Sequence, residues 1–163
     1  MSILIDGHNL IGQLADLSLA DPNDEAKLVQ RLRVYRSTVS CPITVVFDHG
    51  ENYVPPQSLS GGGVEVVFAN SQSSADEHII QRIRQNGAPH RLLVISSDQD
   101  IQAAARSCGA QVMTSQEFAL EMKKRHAPKH KKRRRTTQEP SLSAREVEEW
   151  LAVFKNRPKK RGD

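Results

Sequence analysis

Along residues 1–122, short apolar runs alternate with polar stretches in which apolar residues return at helical spacing. Ile3-Leu4-Ile5 predicts a short strand closed by a turn at Asp6-Gly7. Asp21-Pro22 reads as an N-cap followed by proline at the first helical position. Leu28, Leu32 and Tyr35 then recur at i, i+4 and i+7 on one face of a helix. Pro42 precedes Ile43-Thr44-Val45-Val46-Phe47, whose near-continuous apolarity predicts a strand covered on both sides. A polar loop with Pro55-Pro56 and Gly61-Gly62-Gly63 leads to a third strand, Val64 to Phe68. Ser74-Ala75-Asp76-Glu77 has the form of a capping box, and the helix it opens carries Ile79, Ile80 and Ile83. Leu92 to Ile95 is the fourth strand, ending at Ser96-Ser97-Asp98. The helix after it holds Ile101, Ala104 and Ala105 and stops at Gly109. Gln111-Val112-Met113 makes a fifth strand, and Ser115-Gln116-Glu117 opens a helix to about Lys124. Repeated strand-then-helix units with short links predict an α/β fold of three layers, a mostly parallel central sheet flanked by helices.

The pattern divides the chain into a domain over 1–124, a basic linker over 125–140, an amphipathic helix over 141–156 and a basic tail over 157–163. The linker combines Lys131-Lys132-Arg133-Arg134-Arg135 with two prolines and almost no apolar residue, a composition expected to stay solvated. Ser143-Ala144-Arg145-Glu146 is a second capping box. Val147, Trp150, Leu151 and Phe154 form a stripe holding the chain's one tryptophan. A helix of this length is marginal alone in water, so the stripe is expected to dock on the chain's own body or on a partner.

Composition narrows the class. The 163 residues suffice for a core without disulfides or a structural metal. Cys41 and Cys108 make no framework and suit a reducing, cytoplasmic compartment. The N-terminus meets Asp6 after three apolar residues, unlike a secretory signal, and no apolar run nears the ~18 residues of a membrane span. The net charge of +4 hides an asymmetry. Residues 1–122 hold 8 Lys+Arg against 14 Asp+Glu, a charge of −6, whereas residues 123–163 hold 15 against 5, a charge of +10. An acidic body with a basic extension points to a polyanionic partner for the extension.

The acids have a pattern of their own. Ligands of open α/β sheets bind beyond the carboxyl ends of the strands. Asp6, Asp48 and Asp98 end the first, second and fourth strands, and Asp100 follows closely. Asp76 and Glu77 open the helix after the third, which begins at the same edge. Each residue alone is an ordinary turn former or helix cap. Together they form a rim whose repulsion a hard dication would relieve. Competing motifs are absent: there is no P-loop, no Asp-x-Asp, no GxSxG elbow, and no lysine between Lys27 and Lys123 for a receiver-type phosphotransfer site. His8 is the one histidine near the rim.

Ile3-Leu4-Ile5-Asp6-Gly7-His8-Asn9-Leu10-Ile11-Gly12 resembles the opening motif of NYN domains, relatives of the PIN nucleases, in their YacP-like branch. Val45-Val46-Phe47-Asp48, Gly63 to Phe68, Ser74-Ala75-Asp76, Ser96-Ser97-Asp98, Gly109-Ala110 and Ser115-Gln116-Glu117-Phe118 continue the resemblance in order. The chain departs from it at His8, where many members carry tyrosine. The resemblance implies a metal-dependent ribonuclease similar to a ribosome-associated endoribonuclease, with Asp6, Asp48, Asp76 and Asp98 as its acidic set and Asn9 as a polar neighbour. On this reading Asp6, Asp76, Asp98 and Asp100 hold Mg²⁺ or Mn²⁺, with Asp48 completing the shell, and a metal-activated water attacks an RNA phosphodiester. Asn9, Ser96 and Ser97 would orient phosphate or water. Lys131, Lys132, Arg133, Arg134 and Arg135 would grip RNA phosphates without reading sequence. The reading from another class is a non-catalytic RNA-binding or ribosome-docking module that works through the basic extension.

Overall fold

The structure, a computed structural model, describes residues 1–48, 59–70 and 72–126. In chain order they form β1 (Ser2–Asp6), α1 (Gly7–Ile11), α2 (Asp24–Val39), β2 (Ile43–Phe47), β3 (Val64–Phe68), α3 (Ala75–Arg84), a 3-10 turn at Pro89–Arg91, β4 (Leu92–Ile95), α4 (Gln99–Ser107), β5 (Gln111–Met113) and α5 (Ser115–His126). Pro55-Pro56, the basic linker with Lys131 to Arg135, the stripe from Val147 to Phe154 and the basic tail lie outside the described residues.

The strands form one sheet in the order β3-β2-β1-β4-β5. All four neighbouring pairs are parallel. The three-layer α/β reading of the sequence therefore holds. Alternation along each strand assigns the faces. Ile3, Ile5, Ile43, Val45, Phe47 and Ile95 pack with residues of α1, α2 and α5. Leu4, Val46, Leu92 and Val94 pack with residues of α3 and α4. Because both faces are covered, these strands read as nearly unbroken apolar runs.

The chain lays β1, β2 and β3 to one side and then returns to place β4 against the other side of β1. That reversal opens a crevice beyond the carboxyl ends of β1 and β4, the position where open α/β sheets bind ligands.

Two local expectations are corrected. Asp21 is not the cap of α2. Its Oδ1 accepts from the Asn23 amide at 2.9 Å, closing a side-chain turn around Pro22, and the helix starts only at Asp24. The turn at Asp6-Gly7 is instead the start of α1, with the Asp6 side chain as its N-cap. A Cβ on Gly7 would stand 2.2 Å from the Phe47 ring, so only glycine lets this helix leave the sheet so abruptly. The stop at Gly109 is as expected: Ala110 N bonds Ala105 O at 2.9 Å and Gly109 N bonds Arg106 O at 3.0 Å, the paired bonds of a Schellman motif.

Candidate active site

Every acid singled out in the sequence stands at the carboxyl edge of the sheet. Asp6 is the last residue of β1, Asp48 follows β2, Asp76 lies in the first turn of α3, Asp98 caps α4 and Asp100 lies in its first turn. Parallel register puts β1 between β2 and β4, so Asp48 and Asp98 approach Asp6 from its two sides.

Asp6 is the innermost, with 6% of its surface exposed. Its Oδ1 accepts from the Asn9 amide at 3.3 Å and its Oδ2 from the Ser96 hydroxyl at 3.1 Å. Burial pushes its carboxyl above the usual range, and the charges of Asp76 and Asp48 add to the rise, while the bonds from Asn9 and Ser96 oppose it. Asp76 is also raised, first by burial and then by the fields of Asp98, Asp48 and Asp100. The five carboxylates thus share one field, with Asp76 coupled to each of the other four.

The remaining polar groups fix the acids in place. Ser96 is fully buried. While its hydroxyl donates to Asp6, its Oγ accepts from the Asp98 amide at 3.0 Å, so a single atom ties β1 to the start of α4. Gln102 Nε2 holds the Ser96 carbonyl at 2.8 Å. Asp98 Oδ1 accepts from the Asp100 and Ile101 amides at 2.8 and 3.1 Å. Asp48 Oδ1 accepts from the Ala75 amide at 2.7 Å, so the end of β2 caps α3 across a separation of 27 residues. Ser74 supplies the other cap, accepting from the Glu77 amide at 3.2 Å.

Asn9 and Ser97 belong to a second set of bonds. Asn9 Oδ1 accepts from the Ser97 amide at 3.0 Å and from the Ser115 hydroxyl at 2.7 Å. Ser97 Oγ in turn accepts from the Ser115 amide at 3.1 Å. α1, the β4–α4 turn and the start of α5 are thereby joined in a ring. The sequence reading missed Ser115, which is completely buried. It also missed the reciprocal cap around it, in which Thr114 Oγ1 accepts from the Glu117 amide at 3.1 Å and Glu117 Oε2 accepts from the Thr114 amide at 2.9 Å. Thr114-Ser115-Gln116-Glu117 was a legible signal for that cap.

His8 faces Glu25 with Nε2 3.4 Å from Oε1, and its ring tilts on Phe47 with centroids 5.3 Å apart. Asp24 and Glu25 are buried in the first turn of α2; neither was singled out in the sequence.

An all-oxygen, multiply anionic set suits a hard dication. Among the described residues no three His, Cys, Asp or Glu side chains stand close enough to hold one ion together. Mg²⁺ keeps several of its waters and takes only one or two carboxylates directly, so that spacing still fits it. No helix among the described residues is long and apolar enough to cross a membrane.

The profile of the YacP-like NYN domain family matches residues 3–156. The chain is 30% identical over 160 residues to the uncharacterised protein YacP of Bacillus subtilis (strain 168), covering 93% of each. It is similar to the crystal structure of Rae1 (YacP) from Bacillus subtilis, with a TM-score of 0.67 and 26% identity over 95% of this chain and 92% of that one. A tryptophan-to-leucine mutant of the same protein matches with a TM-score of 0.61 and 27% identity over 77% of each chain.

Proposed function

The chain belongs to the YacP-like NYN domain family, whose membership supports a nuclease or RNA-related role, and from that premise we propose that it is a metal-dependent endoribonuclease. The observation that carries this reading is the shared field of Asp6, Asp48, Asp76, Asp98 and Asp100 at the sheet's crevice, strong enough to raise both Asp6 and Asp76. Such a cluster is costly as bare carboxylates and favourable around a dication.

Asp6, Asp76, Asp98 and Asp100 would hold Mg²⁺ or Mn²⁺, directly or through water, with Asp48 behind Asp76. The bound ion supplies an activated water and neutralises charge developing on the phosphate oxygens. Ser96 keeps one oxygen of Asp6 engaged by donating to it, which leaves the carboxylate ionised and its orientation set. Asn9 and Ser97 hold α1 against the β4–α4 turn, so the two sides of the crevice keep their spacing as substrate enters. RNA reaches the acidic rim because basic groups elsewhere bind its phosphates, among them Lys131 to Arg135. Messenger RNA associated with ribosomes is the target class that the resemblance suggests.

A second reading rests on one observation: Asp48 and Asp98 already accept backbone amides as helix caps. On that reading the rim is structural and the chain a non-catalytic RNA-binding module. Cleavage of a labelled RNA with Mn²⁺ or Mg²⁺ and with chelator separates the two. The nuclease cleaves only with metal, and Asp76→Asn and Asp98→Asn each lower the rate by a hundredfold or more, about 3 kcal/mol of lost transition-state stabilisation. Wild-type rates in both variants, or RNA bound without cleavage under all these conditions, would sink the nuclease reading.

A further inference from the structure

The opposite edge of the sheet carries a charge pattern that the rim does not use. Lys27, Arg31 and Arg82 each pair with a carboxylate, Asp21, Asp16 and Glu65 respectively. Arg33 and Arg36, in the second half of α2, have no such partner among the described residues. Arg33 gives Nη2 to the Leu59 carbonyl at 2.6 Å. The Arg36 head bonds to none of the described residues, and the Nε atoms of both arginines are buried without an acceptor.

What covers them is the glycine run Gly61-Gly62-Gly63. Gly62 and Gly63 sit in the left-handed region, with φ of 61° and 79°. A Cβ on Gly63 would stand 2.2 Å from Arg36 Nε, and one on Gly62 3.3 Å from Arg33 Cγ. Glycine is therefore required at 63 both for its backbone angle and for the approach of main chain to guanidinium. The amides of Gly62 and Gly63 meet no backbone acceptor among the described residues. Two like charges three residues apart on one helix face repel one another. Together with unspent amides in a glycine loop, they form a donor set with no acceptor of its own. A phosphate supplies what is missing, negative charge and several acceptor oxygens in a geometry that guanidinium forks match.

We propose that Arg33 and Arg36, with the Gly62 and Gly63 amides, bind a phosphate of the RNA backbone away from the carboxylate rim. At 1.5 Å per residue Arg33 and Arg36 lie about 12 and about 16 Å along α2 from Glu25, which sits at the helix's rim end. A strand whose scissile phosphate is at the rim reaches this anchor with a phosphate a few nucleotides away. The proposal takes RNA as substrate from the nuclease reading, but it is tested without cleavage, so the two can fail separately.

The test is binding of a fluorescein-labelled single-stranded RNA 12-mer to the full chain in chelator, across a salt series. Arg36→Gln is the informative variant because it removes no bond to a described residue; thermal unfolding checks that it folds as wild type does. Its affinity should fall about tenfold and its slope of log K against log salt by about 0.7, one phosphate contact on a single strand. Arg33→Gln with Arg36→Gln should lose about 1.4 of slope. Arg84→Gln with Arg91→Gln is the control, two exposed arginines at the same edge with the same change in charge. A slope in Arg36→Gln equal to wild type, an equal loss in the control, or no RNA binding by the full chain overturns the proposal. Equal competition by the unlabelled 12-mer and by a mononucleotide at matched phosphate concentration also overturns it, since the site would then serve a free phosphorylated molecule.

Discussion

At the scale of single residues, the most informative quantity is the direction in which two carboxyls are displaced. Asp76 is raised by burial first and by Asp98, Asp48 and Asp100 after it. A carboxyl raised by folding holds its proton more tightly in the native state, so ionising it weakens that state. Its favourable contribution is complete below the ordinary aspartate value of about 3.9 and is lost as pH rises through the raised value. Asp76→Asn never forms the charge. In chelator, urea unfolding should show no gain for this variant at about pH 3, and a gain that grows above about 3.9 and levels off past the raised value. With Mn²⁺ the order should reverse, because ligand binding stabilises the wild type by mass action and the variant has lost a ligand. A variant as stable as wild type at every pH in chelator would mean that Asp76 feels no cluster. The acids themselves were legible in the sequence, because a residue ending a parallel strand must stand at one known edge. Their supports were not. The Ser115 hydroxyl meets Asn9 across 106 residues, and Ser96 looks like any strand-end serine until Asp6 is found beside it. No local pattern encodes such pairings.

At the scale of elements, periodicity gave the long helices and the strands, and capping chemistry explains where sequence and structure part. α1 spans five residues, too few to show a period, and it exists because the Asp6 side chain accepts from the Asn9 amide. Conversely Asp21-Pro22 looked like a helix start, but the Asp21 side chain is satisfied by Asn23 one turn too early. The same caps make a catalytic assignment separable from a structural one. Asp98 serves α4 through the Asp100 and Ile101 amides, and on the nuclease reading it also serves the metal. Asparagine caps about as well as aspartate, whereas alanine costs about 1 kcal/mol. Asp98→Asn should therefore melt close to wild type in chelator, and Asp98→Ala should lose about 1 kcal/mol. Both should lose metal-dependent cleavage alike. If cleavage instead tracks stability, failing in Asp98→Ala and surviving in Asp98→Asn, the residue is a cap alone.

At the scale of the whole molecule, the strand order was the least legible feature, because the sequence orders strands along the chain and not across the sheet. The reversal at β1 makes the crevice, and no composition argument reaches it. Charge was legible at once. Residues 1–122 carry −6 and residues 123–163 carry +10, so a polyanion is repelled by the first part and attracted by the second. If the substrate is RNA, most of its counterion release must come from residues 123–163. Neutralising Lys131, Lys132, Arg133, Arg134 and Arg135 to glutamine should lower the slope of log K against log salt by up to about 3.5, at about 0.7 for each phosphate of a single strand that is no longer neutralised. The slope counts phosphates engaged and is indifferent to sequence, so RNAs of different sequence should lose affinity alike. Adding Arg36→Gln should lower it by about 0.7 more, since the effects of distant sites add. Metal-dependent cleavage at saturating RNA should persist in the five-fold variant, because none of these side chains belongs to the carboxylate set. Titrating a labelled RNA at several salt concentrations, with and without the five substitutions, gives both slopes directly. A slope unchanged by the substitutions would assign the basic run to a partner other than RNA, and would leave the acidic body with no means of drawing its substrate in.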